Sequence, residues 1–275
     1  MFGAYPYLLV LVSGLIIGSF LSSITYRIPL GKSIKKGRSF CPECKKAIAW
    51  NDNIPLLSYI LLKGKCRSCR KKISLRYPLI EISTAILFFL IYYFYSFNCS
   101  ASLDEASLQD ICFWKLHLGS IAPPFLFLAI SLLITIFVTD FEHQVIPDKV
   151  VFFLFSIFLA VNLLSPADNF YKNLFVSLAT AFVFLILNLI TKGKGMGLGD
   201  SKLVLSGGVS LGWPGTLVWI FLSFWIGAAL GVSLLLTGKA KLGKPIAFGP
   251  FLVIGFFLTL FWGDYLKNLL FPFLQ

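Results

Sequence analysis

The chain has 275 residues, of which 57% are hydrophobic, 16% aromatic and only 13% charged. This composition excludes an ordinary soluble domain and indicates a protein that crosses a membrane several times. The formal net charge of +12 does not indicate a nucleic-acid partner, because the imbalance lies in one segment. Residues 27–76 hold 14 of the 24 Lys and Arg but 2 of the 12 acidic residues, which is typical of a cytoplasmic segment in a membrane protein.

The first apolar stretch, from Tyr5 to Tyr26, is long enough to span a bilayer as a helix. It has neither a basic region before it nor a small-residue cleavage site after it, so we expect a retained helix with its N terminus outside. Gly14 and Gly18 are four residues apart, a spacing that lets two membrane helices pack closely. We assign residues 1–28 to this first membrane helix.

Two Cys-x-x-Cys pairs lie in the basic segment that follows, Cys41 with Cys44 and Cys66 with Cys69. Four thiolates offered in two such pairs match a tetrahedral, structural Zn2+ site. Two disulfides are the alternative, but the basic flanks place the segment in the reducing cytoplasm, where metal binding is favoured. A bound metal would also explain how residues 29–78 fold with little apolar core.

The second span is predicted from Leu79 to Phe97, and it begins with an acidic residue, Glu81. A carboxylate there is either a functional group or a first-turn acid favoured by the helix dipole, and the sequence leaves both open. Residues 98–120 form an outer loop with Cys99 and Cys112, which either pair in an oxidising compartment or remain inert thiols.

The third span, residues 121–139, returns the chain to the inner side and ends at Asp140. The next aspartate, Asp148, follows Pro147 at the start of the apolar run 150–164, where carboxylates commonly cap a helix. Asp140 has no such structural explanation. We therefore predict that Asp140 is functional and that Asp148 has a supporting role.

A glycine-rich segment follows the span 172–190 and contains Gly197 and Gly199 before it ends in Asp200. Burying an ionisable group at a membrane boundary is costly, which favours a functional role, whereas capping of the next helix is the structural alternative. Asp140 lies in a similar setting and favours the functional reading. Two carboxylates held close together in a low-dielectric site share one proton, as they do in aspartic proteases.

Two further spans are predicted, at residues 216–237 and 246–261. The segment 202–211 is too short to cross the bilayer, because ten helical residues extend about 15 Å and the hydrocarbon core is about 30 Å thick. We expect it to be a short helix in a cavity covered by protein or water. Counting it, the sequence predicts an all-α protein of about eight membrane segments with both termini outside.

These motifs together resemble one group of membrane enzymes. Gly197-Leu-Gly-Asp200 is similar to the GxGD signature of membrane aspartyl proteases, and its extension through Leu203 resembles the bacterial type IV prepilin peptidase/N-methyltransferase family. The tetracysteine segment narrows the resemblance to the bacterial members. Other segments similar to this family are residues 18–21, 26–29, 50–59, 76–81 and 140–148.

The resemblance implies two reactions. It assigns hydrolysis to Asp140 and Asp200 within a peptidase domain at 79–275, acting on the leaders of type IV prepilins and pseudopilins at the cytoplasmic face of the bacterial inner membrane. It also implies that the new N-terminal residue is methylated with S-adenosylmethionine, a reaction linked to residues 29–78. The sequence predicts no residues that bind this cofactor, because no G-x-G-x-x-G motif follows a strand pattern.

A transporter is the alternative from a different class of protein. Asp140 and Asp200 would then form a proton relay beside a zinc-stabilised loop. Glycine-broken helices in both halves of the chain would favour that alternative, and the sequence shows such a break once. Presenilin-type proteases also carry GxGD but lack a tetracysteine insert, and an inactive assembly partner would not need both acids and all four cysteines.

Overall fold

A computed structural model describes residues 5–31, 39–97, 122–164, 167–193, 195–238 and 246–272. In these residues the regular structure is helical, apart from two isolated β-bridges. Six of the helices are long and apolar enough to cross a membrane, which confirms the predicted all-α, multi-pass membrane fold. The helices are α1 (Tyr5–Arg27), α2 (Leu57–Leu61), α3 (Arg76–Phe97), α4 (Ala122–His143), α5 (Asp148–Asn162), α6 (Ala167–Ile190), α7 (Leu198–Leu236) and α8 (Gly249–Leu270), with a 3-10 turn at Trp50–Asn53.

The eight predicted membrane segments map onto these helices with two differences. Helix α5 has 15 residues and extends about 23 Å, so it is shorter than the six helices that qualify as spans. The predicted short helix at 202–211 and the span at 216–237 both belong to α7, whose backbone departs from helical geometry at Gly212 and Trp213. The first part of α7, residues 198–211, is thus a short helix that ends at this break, as predicted, and the longer part follows it without a separate loop.

The chain divides into two compact units. The first comprises Met1–Tyr93 with Leu126–Thr135, and the second comprises Phe94–Phe125 with Ile136–Gln275. The tetracysteine segment thus shares a unit with α1 and most of α3, whereas Asp140 and Asp200 share the other unit. Cys99 and Cys112 lie outside the described residues.

In the first unit, α1 and α3 approach each other closely at glycines. A Cβ atom on Gly14 would lie 2.6 Å from the Cα of Ala85, and one on Gly18 would lie 2.7 Å from the Cα of Glu81. No real side chain tolerates such distances, so the small-residue packing expected for α1 is present. It brings the acidic end of α3 directly against α1.

In the second unit, α7 is the central helix and packs against α5, α6 and α8. Side-chain hydrogen bonds fix its position along these neighbours. The Nδ2 of Asn162 in α5 donates to the carbonyl of Val209 at 2.8 Å, and the Nε1 of Trp219 donates to the carbonyl of Leu252 in α8 at 2.7 Å. Such bonds between membrane helices hold the first turn of α7, which carries Asp200, in a defined register.

Candidate active site and metal centre

Asp140 lies in the last turn of α4, which continues to His143 and does not end at residue 139 as predicted. Its side chain is buried, with 5% exposed, and its Oδ2 accepts a hydrogen bond from the backbone N–H of Gly249 at 2.9 Å. A Cβ on Gly249 would lie 2.6 Å from that oxygen, so this contact requires glycine. Gly249 is not predicted from the sequence, although the Gly-Pro pair at the start of α8 is a signal that could have indicated it.

Asp200 is the third residue of α7 and is also 5% exposed. Its Oδ2 accepts a hydrogen bond at 2.9 Å from the backbone N–H of Gly197, the residue that precedes the helix. Helix capping, the structural alternative for this acid, is therefore part of the arrangement. A Cβ on Gly199 would lie 2.8 Å from the Cβ of Ile146, so the loop after α4 passes directly against the start of α7.

The carboxylates of Asp140 and Asp200 lie close enough to interact electrostatically. Each is anchored through one oxygen to a backbone N–H, and neither forms a salt bridge with any described residue. Two buried like charges cannot both ionise easily, so one acid of the pair is favoured in its protonated form. Chemically, such a pair can activate water with one acid and polarise a carbonyl with the other.

Asp148 lies apart from this buried arrangement. It occupies the first turn of α5 directly after Pro147, as expected, and its side chain is 72% exposed. Its Oδ1 pairs with the Nζ of Lys202 at 2.6 Å, which links the start of α5 to the first part of α7. An exposed ion pair of this kind orients surface groups and contributes little free energy.

The four cysteines of the first unit come together in one cluster. The sulfur atoms of Cys41, Cys44, Cys66 and Cys69 all lie within 4.8 Å of one another, and those of Cys41 and Cys69 are 3.9 Å apart. Four sulfurs at about 2.3 Å from a tetrahedral zinc ion are about 3.8 Å apart, whereas disulfide sulfurs are about 2.05 Å apart. The cluster therefore fits one metal ion and not two disulfides.

Each cysteine pair lies in a hairpin, and the two hairpins repeat the same backbone hydrogen bonds 25 residues apart. The first cysteine of each pair donates its N–H to the carbonyl five residues later, at 3.0 and 2.9 Å, and accepts from the N–H four residues later, at 2.9 Å in both. The residue after each second cysteine, Lys45 or Arg70, has a positive φ of about 60°. This internal repeat is not predicted, although its signal is visible when CPECKKAI is aligned with CRSCRKKI.

The thiols of the cluster ionise unequally. The N–H of Lys71 donates a hydrogen bond to the sulfur of Cys69, but burial and the other three thiols of the cluster outweigh it and raise the pKa of Cys69 to about 11. The N–H groups of Cys69 and Ser68 lower the pKa of the Cys66 thiol to about 7 by hydrogen bonding to its sulfur. The thiolate is the form that binds a metal ion. Lys71 of the second hairpin also pairs with Glu43 of the first, so the two hairpins are joined by charge as well as by the cluster.

Both parts of the chain match models of known protein families. Residues 12–95 match the bacterial peptidase A24 N-terminal domain, and residues 127–232 match the type IV leader peptidase family. The first match contains the tetracysteine cluster, and the second contains Asp140 and Asp200. No solved structure matches the chain.

Curated relatives cover nearly the whole chain. A prepilin leader peptidase/N-methyltransferase from Bacillus subtilis is 35% identical over 92% of this chain and 93% of its own length. One from Pseudomonas aeruginosa is 34% identical over 91% and 88%, and one from Legionella pneumophila is 32% identical over 96% and 95%. None of these three is named as a transporter, so they give no support to the proton-relay alternative. The chain belongs to the type IV leader peptidase family.

Proposed function

We propose that the chain cleaves the leader peptides of type IV prepilins and pseudopilins and then N-methylates the new N-terminal residue. The observation that carries the first reaction is the buried pair of carboxylates, Asp140 and Asp200, within electrostatic reach of each other. The relatives' names support both reactions, since each is called a leader peptidase and an N-methyltransferase.

In this proposal the pair divides the work of peptide hydrolysis. The ionised acid takes a proton from water as the water oxygen attacks the scissile carbonyl, while the protonated acid donates to the carbonyl oxygen. When the tetrahedral intermediate collapses, a proton passes to the leaving nitrogen. The backbone N–H groups of Gly197 and Gly249 hold the carboxylates in the geometry that this exchange needs.

The position of the pair defines the kind of substrate. Asp140 lies in the last turn of α4 and Asp200 in the first turn of α7, and both helices are candidate membrane spans. The peptide bond must therefore reach the membrane boundary beside an apolar segment. A prepilin, in which a short basic leader precedes a hydrophobic helix, has this arrangement. The basic segment 27–76 supports placing this boundary at the cytoplasmic face of the inner membrane, with both termini on the other side.

We assign the methylation half to residues 29–78 and the peptidase half to residues 79–275. Cys41, Cys44, Cys66 and Cys69 would hold one Zn2+ ion, which would cross-link two hairpins in a segment with almost no core. Between residues 39 and 77, Cys41 is the only buried residue. A closed shell of four thiolates gives the ion a structural role and not a catalytic one.

Co-expression of a prepilin with variants of the chain tests the peptidase half. We expect Asp140→Ala and Asp200→Ala to leave the leader in place, and Asp148→Ala to remove it, as read from the N-terminal mass of the pilin. Membrane levels of each variant provide the control for folding. Leader removal at the wild-type rate by Asp140→Ala or Asp200→Ala would refute the carboxylate pair as the catalytic unit.

A further inference from the structure

A cavity of about 510 Å3 lies in the first unit, lined by the ends of α1 and α3 and by the two cysteine hairpins. Helix α1 presents Ser19, Ser22, Ser23 and Tyr26 to it. Their spacing places these four residues on one face of the helix. Serines are common at contacts between membrane helices, but here they line a cavity, where a polar ligand can reach them.

A buried carboxylate, Glu81 of α3, also lines the cavity and is only 7% exposed. Its Oε2 accepts the N–H of Leu56 at 2.8 Å, and the hydroxyl of Ser19 also bonds to it. Within the described part of the chain Glu81 forms no salt bridge. A carboxylate that is buried without a cationic partner favours a cation supplied by a ligand.

The other groups around the cavity are aromatic rings, which suit the nucleobase and sulfonium of S-adenosylmethionine, and basic side chains, which suit its carboxylate. The basic residues are Arg27, Lys46, Arg67, Lys71, Lys72 and Arg76. Tyr26, Tyr59 and Tyr77 offer aromatic rings, which stack on nucleobases and attract onium cations. The volume lies within the range of about 300–1,000 Å3 that is usual for cofactor sites. Asp52 also lines the cavity, but it is already paired. It accepts hydrogen bonds from Arg67 at 2.8 and 2.6 Å, which hold the pKa of Asp52 below its usual range, so Asp52 is a poorer proton acceptor than Glu81.

We propose that this cavity is the methyl-transfer site, and that Glu81 binds the free α-ammonium group of the processed substrate and takes its proton. This inference rests on the proposed function, because leader removal creates the amine. An α-ammonium group has no lone pair for attack, and its ordinary pKa is about 7.7–8.0, so it is mostly protonated at neutral pH. Glu81 is the buried carboxylate in the cavity that can accept that proton.

Methyl transfer begins with loss of a proton from the substrate's ammonium group. One ammonium proton moves to a carboxylate oxygen of Glu81, which leaves a neutral amine with a lone pair. The nitrogen then forms a bond to the methyl carbon as the carbon–sulfur bond breaks, with its electron pair remaining on sulfur. S-Adenosylmethionine supplies this methyl group when bound. The product is a protonated secondary amine, and Glu81 afterwards releases its proton to water.

The variant Glu81→Gln tests the proposal in the purified full-length protein. Glutamine keeps an oxygen that can accept the N–H of Leu56, so the loop at Leu56 stays in place, but it cannot take a proton. We expect leader cleavage and metal content to remain at wild-type levels and methyl transfer to processed pilin to fall about 100-fold or more. Ser83→Ala, on the exposed face of the same helix, is the matched control and should change neither reaction.

A binding measurement separates this role from a structural one. The probes are a short peptide beginning with phenylalanine and the same peptide N-acetylated, each added with S-adenosylhomocysteine. We expect the wild type to bind the free amine at least 10-fold more tightly than the acetylated form, and Glu81→Gln to lose this preference. Methyl transfer by Glu81→Gln within twofold of wild type, or an unchanged preference for the free amine, would overturn the proposal.

A second variant decides the case if Glu81→Gln does not accumulate. Ser23→Phe places a ring in the cavity, and Ser83→Phe makes the same change on the exposed face of α3. We expect Ser23→Phe alone to weaken binding of S-adenosylhomocysteine at least 10-fold while cleavage persists. Wild-type affinity in Ser23→Phe would reject the cavity as the cofactor site. If the wild type removes leaders but never methylates the processed pilin, the methyltransferase part of the proposed function is wrong.

Discussion

Helix packing positions the acidic pair in the second unit, whereas loops position the cysteine cluster in the first. Asp140 and Asp200 each bond to a backbone N–H at the start of a helix, and the surrounding helices bury both. The cysteine hairpins lie in a segment where Cys41 is the only buried residue between positions 39 and 77. The geometry of the pair therefore depends on close contacts within the protein, and that of the hairpins depends on their ligand.

This difference implies different sensitivities in the two units. A core of packed helices is disturbed by added volume, because interiors are close-packed and adapt poorly. A metal-organised segment is disturbed by loss of a ligand, because binding free energy is also folding free energy. Substitutions that add one methyl group beside Asp140 or Asp200 should therefore lower leader cleavage, whereas removal of the metal should lower methyl transfer.

Gly249→Ala should have the largest effect on cleavage. Its methyl group would lie 2.6 Å from Oδ2 of Asp140, so the carboxylate must move and the N–H···O bond is lost. Because misplacement of a reacting group by about 1 Å can cost on the order of 100-fold in rate, we expect leader cleavage to fall by about that factor. A time course of leader removal by mass spectrometry measures it.

The matched control is Gly231→Ala, which makes the same change in α7. The nearest atom to its methyl group would be 4.0 Å away, on Ile246, an ordinary contact. Cleavage by this variant should stay at the wild-type rate, and both variants should still methylate a pilin that was processed beforehand. Equal loss of cleavage in the two variants would contradict the specific role given to Gly249.

Metal removal should lower methyl transfer and spare cleavage, the reverse of the effect expected for Gly249→Ala. Cys69→Ser removes one of four thiolates, so we expect loss of the bound metal and a drop of at least 10-fold in methyl transfer, while cleavage stays within about threefold. Elemental analysis and limited proteolysis of residues 39–75 check the metal content and the order of the hairpins. Ser68→Ala is the control, since it leaves all four thiolates. If Cys69→Ser retains a full equivalent of metal, the four-thiolate site is wrong.

Gly199→Ala should lower cleavage less, by roughly 10-fold. Its methyl group would lie 2.8 Å from the Cβ of Ile146, so the loop after α4 must shift away from the first turn of α7. Overpacking of this kind typically costs about 1–3 kcal/mol. The double variant with Ile146→Ala makes space for the methyl group and should recover most of the lost rate. Failure of this rescue would show that the glycine matters for another reason.

The sequence predicted contacts whose chemistry is local and missed those that depend on packing. Spacing alone indicated that the four cysteines meet, and the repeated setting of Asp140 and Asp200 indicated a pair. The bond from Gly249 to Asp140 joins residues 109 positions apart, and no local pattern records it. The break within α7 was predicted, because glycine and proline at 212–214 normally end a helix, and the backbone is non-helical at Gly212 and Trp213.

The cavity of the first unit shows the same limit. Glu81 was recognised as an unusual acid, yet the sequence could not decide between function and helix dipole. Two observations decide in favour of function: Glu81 is buried, and it faces the polar side of α1. Both result from the close contact of Gly18 with Glu81, which no local pattern in the sequence records. The serines of α1 recur every three to four residues, which could have indicated a polar face on this helix. Serines are common at contacts between membrane helices, however, so the pattern alone predicts only packing.

The ion pair between Asp148 and Lys202 should have the smallest effect. Both side chains are at least half exposed, and exposed pairs contribute about 0.2–1 kcal/mol. We expect Asp148→Asn and Lys202→Met each to change cleavage by less than twofold, and the double variant to show coupling below about 1 kcal/mol in thermal unfolding. Raising the salt concentration to 0.5 M should remove that coupling without affecting the wild-type rate, because screening acts on exposed charges and not on the buried pair. A loss of cleavage above 10-fold in Asp148→Asn would instead place this aspartate in the chemistry, and the division between a buried acting pair and an exposed supporting acid would fail.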